Sequence, residues 1–295
     1  MSGTVRIDPD SSLLVMPAPP EAAACRALET IEARSALVQH LAAPPEEAMR
    51  LGSHAERYGS ATAILMRKSK NLMYNRLIAW GQASTGTPEQ LDRFVALAHT
   101  HLAEAVGVPL GPCARPARLR DWLEKRGFES GNPGAKLWRN AAPLPKRTTG
   151  HGITVRIARR KDAATWVDVV AQVWRAFGSR RAWFEARARA PGWRHYLAWI
   201  DGEPVAAGAL FVGTVGERTV GHLVDGVTLP DWRGRGAQSA IIRRRISDGV
   251  KLGCGLFATE TAPPLPRMPL VSFRNLCRQG FQLAYLRESW KLQLR

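Results

Sequence analysis

The residues Arg233-Gly234-Arg235-Gly236-Ala237-Gln238-Ser239 combine what an anion site needs. Val227-Thr228-Leu229-Pro230-Asp231-Trp232 precede them, and an apolar-basic run from Ala240 to Ile246 follows with helical character. A strand that stops at a proline, crosses a glycine-rich turn and enters a helix aims free backbone N–H groups at one point, because the first turn of a helix has no intrahelical acceptors. Gly234 and Gly236 allow close approach of a phosphate and suit unusual backbone angles. Arg233 and Arg235 add full positive charge, so the segment reads as a cradle for a pyrophosphate. A nucleotide P-loop would end in Gly-Lys-Ser/Thr, and a dinucleotide turn would carry a third glycine and a distant acidic residue; both features are missing.

The elements around the cradle narrow the reading. Gly221 to Leu229 reads as a buried strand leading into it, and Gly280-Phe281 forms a turn downstream. In this setting the chain resembles the GCN5-related N-acetyltransferase (GNAT) superfamily, whose acetyl-CoA signature is Gln/Arg-x-x-Gly-x-Gly/Ala between the fourth strand and the third helix. Arg233 to Gln238 fit it at each specified position but the sixth, where Gln238 replaces a small residue. The resemblance implies acetyl-CoA as cofactor, held by Arg233, Gly234, Arg235, Gly236, Ala237, Gln238 and Ser239. It also implies a β-bulge that splays the sheet, leaving backbone groups of Val227 and Leu229, with Thr228 between them, for the pantetheine arm.

Acetyl transfer to an amine needs a held donor, a neutral amine and a place for developing negative charge. An alkyl amine of pKa near 10.4 is only about one part in a thousand neutral at neutral pH, so a base or a desolvating pocket is required. Family members often use a Glu on the fourth or fifth strand. Here that resemblance points to Glu260, on the strand Leu256 to Thr261, with Asp225 and His222 as competitors on opposite faces of the preceding strand. Many members place a proton-donating Tyr four residues before the Gly of Gly-Phe. That position is Leu276, and Tyr285 on the next strand is the expected substitute. Ser272 and Asn275 would cap the intervening helix or touch the cofactor.

Along the whole chain, helices are predicted over Glu21–Ala42 and from Pro44, strands over Ala61–Met66 and Asn71–Trp80, and a long helix over Thr87–Val106. A strand at Val108–Leu110, a helix over Ala117–Arg126 and Gly127-Phe128 follow. The second half repeats this order around its cradle. We therefore expect an α/β (α+β) protein of two GNAT-like units, each a mixed, mostly antiparallel sheet flanked by helices. The degenerate first unit spans 1–142, a Pro/Gly-rich linker 143–152, and the acetyltransferase unit 153–295. In place of the basic cradle the first unit has Gly81 to Pro88 with no positive charge, so no CoA is expected there. Trp166, Trp174, Phe177, Trp183, Phe184 and Trp193 make the acceptor region aromatic, which suits an apolar or cationic acceptor, although core packing explains most such rings.

With 295 residues, 45% of them hydrophobic, the chain can fill two cores. No apolar run approaches a membrane span and no signal-peptide layout opens the sequence, so a cytoplasmic protein is expected. Four cysteines lack metal-ligand spacing, and no metal is predicted. A net charge of +17 raises nucleic acid as a partner. The arginines are spread along the chain and no aromatics interleave with them, so a small-molecule or peptide amine is the expected partner, with a homodimer open as an assembly. The alternative from a different class is an acyl-CoA-binding or sensory module without turnover.

Overall fold

Two runs, Ala61–Met66 and Leu256–Thr261, form strands with the bounds their sequence predicts. The computed structural model describes residues 20–146, 152–263 and 270–295. In the first half come α1 (Ala22–Leu41), α2 (Pro45–Leu51), β1 (Ser53–Tyr58), β2 (Ala61–Met66), β3 (Arg76–Ile78), α3 (Pro88–Thr100), β4 (Ala105–Leu110), α4 (Leu119–Glu124) and β5 (Glu129–Asn140). The second half adds β6 (Thr154–Ile157), α5 (Ala163–Val173), α6 (Arg181–Arg187), β7 (Trp193–Ile200), β8 (Glu203–Val215) and β9 (Arg218–Thr228). It ends with α7 (Ala237–Lys251), β10 (Leu256–Thr261), α8 (Val271–Cys277) and β11 (Gln282–Gln293).

The internal repeat is present in the backbone. β3, α3, β4, α4, a Gly-Phe turn and β5 recur as β9, α7, β10, α8, a Gly-Phe turn and β11. Both turns close the same way: Gly127 and Gly280 take positive φ of 77° and 86°, and Phe128 and Phe281 donate to Leu123 O and Leu276 O. A left-handed residue after a helix satisfies its last carbonyls, and glycine does so without a Cβ penalty.

All strands lie in one eleven-stranded sheet of order β1-β2-β3-β4-β11-β5-β10-β9-β8-β7-β6. The final strands are exchanged between halves. β11 runs antiparallel between β4 and β5, and β5 is antiparallel to β10. The segment expected as a linker, 143–152, lies partly outside the described residues, at 147–151.

Local differences have local causes. The helix predicted to reach Val106 stops at Thr100, because Leu102 turns to φ 56° and Ala105 and Val106 join β4. The strand predicted over 71–80 is a turn of 3-10 helix at Leu72–Tyr74 followed by the short β3. β1, polar at Ser53, His54, Glu56 and Arg57, has no apolar signature to mark it as a strand in the sequence. α1 spans both halves: it packs on β1 and β2 and also on β8 and β9. Leu28 and Ile31 join Trp166 and Phe211 in one core, and Glu29 and Glu32 go into the interior with them.

Candidate active site

The cradle is formed as a turn and a helix. Gly234 and Gly236 take φ of 78° and 92°, and α7 begins at Ala237 with Gly236 as its N-cap. Glycine brings no capping side chain, and the first intrahelical bond is Ala240 N to Gly236 O, so the N–H groups of Ala237, Gln238 and Ser239 have no helical acceptor. A Cβ on Gly234 would meet nothing within 4 Å. Arg233 and Arg235 are exposed, with Arg235 stacked 4.6 Å over the Trp232 ring. Gln238 reaches across to α8: its amide lies 3.3 Å from Ser272 Oγ, and its Oε1 accepts from Asn275 at 2.6 Å. Ser272 and Asn275 thus tie two helices together.

At the first turn of α3, the corresponding place in the first half, the protein fills its own cradle. Thr87 and Gln90 form a reciprocal capping box, and Gly86 N and Arg115 N are taken by Arg115 O and Gly81 O.

The sheet opens beside α7. β9 and β10 pair in parallel from Val220/Leu256 to Leu223/Thr259 and then part. On the other side of β9 the register slips: Ala207 faces Val227 and Ala209 faces Val224, so Gly208 stands against both Asp225 and Gly226. Asp225 takes φ 53°, rare for a residue with a side chain. Buried Arg245 of α7 bridges the bulge, donating from Nη1 to Ala209 O and Val224 O at 3.0 Å each. Past the bulge the Leu229 N–H is bonded to Val205 O at 2.9 Å, so it is not the free donor its position suggests. Ladder alternation turns the backbone groups of Thr228 the other way, and its carbonyl accepts from Arg233 Nε at 3.4 Å. Val227 is buried in the core.

Glu260 stands at the fork. Its Oε2 lies 2.9 Å from His222 Nε2, and its other oxygen pairs with Lys136 Nζ. His222 Nδ1 is 2.9 Å from Ser35 Oγ on α1. Burial and nearby Glu32 push the Glu260 carboxyl up, but Lys136 and His222 outweigh them and hold it at about 2. Burial alone would lower the Lys136 ammonium; Glu260, Glu32 and Glu29 raise it above the ordinary lysine value. The cluster is balanced, with Glu29, Glu32 and Glu260 set against Lys136, Arg76 and Arg287.

A cavity of about 580 Å³ joins these parts, running from Gln238, Ser272 and Leu276 past Glu260 and His222 to Tyr74 and Arg76 of the first half. Leu276, at the position where the family's proton-donating Tyr would stand, lines it. Tyr285 does not; its hydroxyl donates to Glu29 Oε1 at 2.8 Å, and burial and Glu29 raise it well above the usual phenol value. The expectation that Tyr285 substitutes for the missing acid is therefore corrected by its position. Asp225 is paired with Arg187 at 2.5 Å. Sequence reasoning missed Lys136, Ser35 and Arg187, which lie far from the motif and carry no local signature.

Residues 162–270 match the sequence model of the acetyltransferase (GNAT) family, a span that includes the cradle and Glu260. That stretch of the chain carries a GNAT acetyltransferase domain. Solved structures extend the likeness to a tandem GNAT fold. A GCN5-related N-acetyltransferase from Kribbella flavida aligns with TM-score 0.57 at 14% identity, covering 86% of this chain and 95% of that one. A tandem GNAT protein from the clavulanic acid biosynthesis pathway aligns with TM-score 0.54 at 14% identity, over 94% and 96%. A GCN5-related N-acetyltransferase from Sphaerobacter thermophilus aligns with TM-score 0.52 at 16% identity, over 94% and 95%. No curated protein matches the sequence. Among the described residues no helix is long and apolar enough to cross a membrane, and no cluster of metal-ligating side chains occurs.

Proposed function

We propose that this GNAT domain moves an acetyl group from acetyl-CoA to the primary amine of a small acceptor held between the two halves. One contrast carries the reading. The N-terminus of α7 is uncapped and opens beside the split between β9 and β10, whereas the equivalent N-terminus of α3 is closed by Thr87 and Gln90.

The chain's own groups fit that cofactor. The N–H groups of Ala237, Gln238 and Ser239, with Gly234, Gly236 and the guanidinium groups of Arg233 and Arg235, would hold its diphosphate. Thr228 offers its outward backbone to the pantetheine arm. When bound, acetyl-CoA supplies the acetyl group as an activated thioester. Glu260, ionised at neutral pH, orients His222, and this pair accepts the proton the attacking amine gives up. A thiol of pKa near 8.5 leaves acceptably without an acid, which suits Leu276 at the donor position. We read the first half, 1–142, as a diverged copy that binds no CoA and walls the acceptor side. The four free thiols suit a reducing, cytoplasmic setting.

Release of CoA thiol in the presence of a panel of amines tests the proposal. Turnover that falls about a hundred-fold in Glu260→Gln, with acetyl-CoA affinity retained, supports it. Leu276 in the cavity favours one second reading, a non-catalytic acyl-CoA-binding module. Tight acetyl-CoA binding with no release on any amine would establish that reading and end the first.

A further inference from the structure

Arg187, at the end of α6, is 1% exposed. Its Nε donates to His195 Nε2 at 3.0 Å and its Nη2 to Asp225 Oδ2 at 2.5 Å. Burial holds His195 well below the ordinary imidazole value, so its ring is neutral and able to accept. The guanidinium lies 4.4 Å from the centre of the Trp193 ring, 5.0 Å from Trp166 and 5.1 Å from Phe184. The aromatic box that the sequence offers to a cationic acceptor is already filled by a cation of the protein. A second cation there would be repelled.

The hydrogen bonds of Arg187 to the described residues run through Nε and Nη2 and leave Nη1 over, and Arg187 lines the cavity. Charges around the acceptor end otherwise close in pairs: Arg76 with Glu32 at 2.8 Å, Arg187 with Asp225, Lys136 with Glu260. Exposed Arg175 also lines the cavity and has no partner among the described residues, which leaves that end with spare positive charge. A planar guanidinium with a free donor suits a carboxylate. The neighbouring Asp225 disfavours a dianion such as a phosphate monoester.

We propose that the acceptor is a small amine bearing a carboxylate, and that Arg187, assisted by Arg175, holds that carboxylate while the amine faces His222 and Glu260. Asp225, the partner of Arg187, follows His222 by three residues, about 10 Å of extended strand at most, so the two groups of the acceptor lie several bonds apart. The inference rests on the acetyltransferase reading for the reaction but not for the binding.

Matched pairs test it: lysine against cadaverine, and ε-aminocaproate against hexylamine. The carboxylated member of each pair is expected to show about ten-fold or greater advantage in kcat/KM, shrinking to within about three-fold in Arg187→Lys, which keeps a charge for Asp225 but lacks Nη1. Arg175→Ala, at an exposed position, should reduce the advantage without touching the core and covers the case in which the buried variant fails to fold. Calorimetry with the same compounds and no acetyl-CoA should show the same preference without turnover. Equal binding and equal rates for both members, or a preference unchanged in both variants, would overturn the inference. Failure of every amine to release CoA, with the binding preference intact, would instead sink the acetyltransferase reading alone.

Discussion

Lys136 on β5 and Glu260 on β10 stand directly opposite each other in the strand register and form an ion pair, although one belongs to the first half of the chain and the other to the second. Cross-strand neighbours on one face interact most strongly when opposite in this way. Strand exchange therefore makes the first half a contributor to the ionisation of the candidate base.

Replacing Lys136 with Met removes that cation while Glu29, Glu32 and Glu260 remain. Breaking a buried pair from one side costs about 3–5 kcal/mol, so urea unfolding should show a loss of that order. Glu260 should also titrate higher, moving the acid limb of the kcat/KM–pH profile upward. Lys136→Arg should restore part of both effects. An acid limb that stays in place would show that Lys136 acts on stability only.

Acid should unfold this protein in two stages. His40, lowered by burial from 6.5 to about 3, is neutral in the fold, so its contribution is present above pH 6.5 and is lost as pH falls through that range. Glu32 and Glu260 are also depressed, Glu260 from 4.5 to about 2. Their stabilisation is complete above 4.5 and disappears as pH drops toward 2. Urea midpoints measured across this range should fall gently at first and steeply below 4.5, with the steep part reduced in Glu260→Gln. A flat profile would contradict the buried cluster.

Gly236→Val places a branched side chain at φ 92° at the mouth of the cradle. We expect acetyl-CoA affinity to fall by about thirty-fold or more, roughly 2 kcal/mol, by calorimetry. Gly202→Val, at φ 85° in the β7–β8 hairpin with open space around it, imposes comparable backbone strain away from the site and should leave affinity unchanged. Equal effects from the two would mean that strain, not the cradle, is being measured.

Tyr285→Phe removes only the hydroxyl that serves Glu29. Stability should drop by about 1–2 kcal/mol, and kcat should change by less than about two-fold. A large fall in kcat would return Tyr285 to the chemistry.

The glycine turn before α7 and the two Gly-Phe turns were legible because each depends on neighbours within a few residues, whereas the bulge in β9 was expected only from the family resemblance. Gly234 and Gly236 signal left-handed turns, Pro230 ends a strand, and the paired Gly-Phe turns mark two equivalent helix ends. Glu260 was singled out as a candidate through the family resemblance and its place on β10, but its two partners were not. Tyr285 was misread because strand alternation says which face a side chain takes, not which helix covers that face; here it is α1, with Glu29.

By itself the sequence determined where helices start, where glycine turns fall and which stretches form strands such as Ala61–Met66 and Leu256–Thr261, since helix starts, glycine turns and apolar periods obey short-range rules. Only the tertiary structure decided that β5 and β11 change places, that α1 carries two glutamates into the interior, and that Arg187 occupies the aromatic box. Those outcomes depend on partners more than a hundred residues away for Lys136 and Glu260, and on the energetics of burying charge, which become favourable only once every ion has met its counterpart.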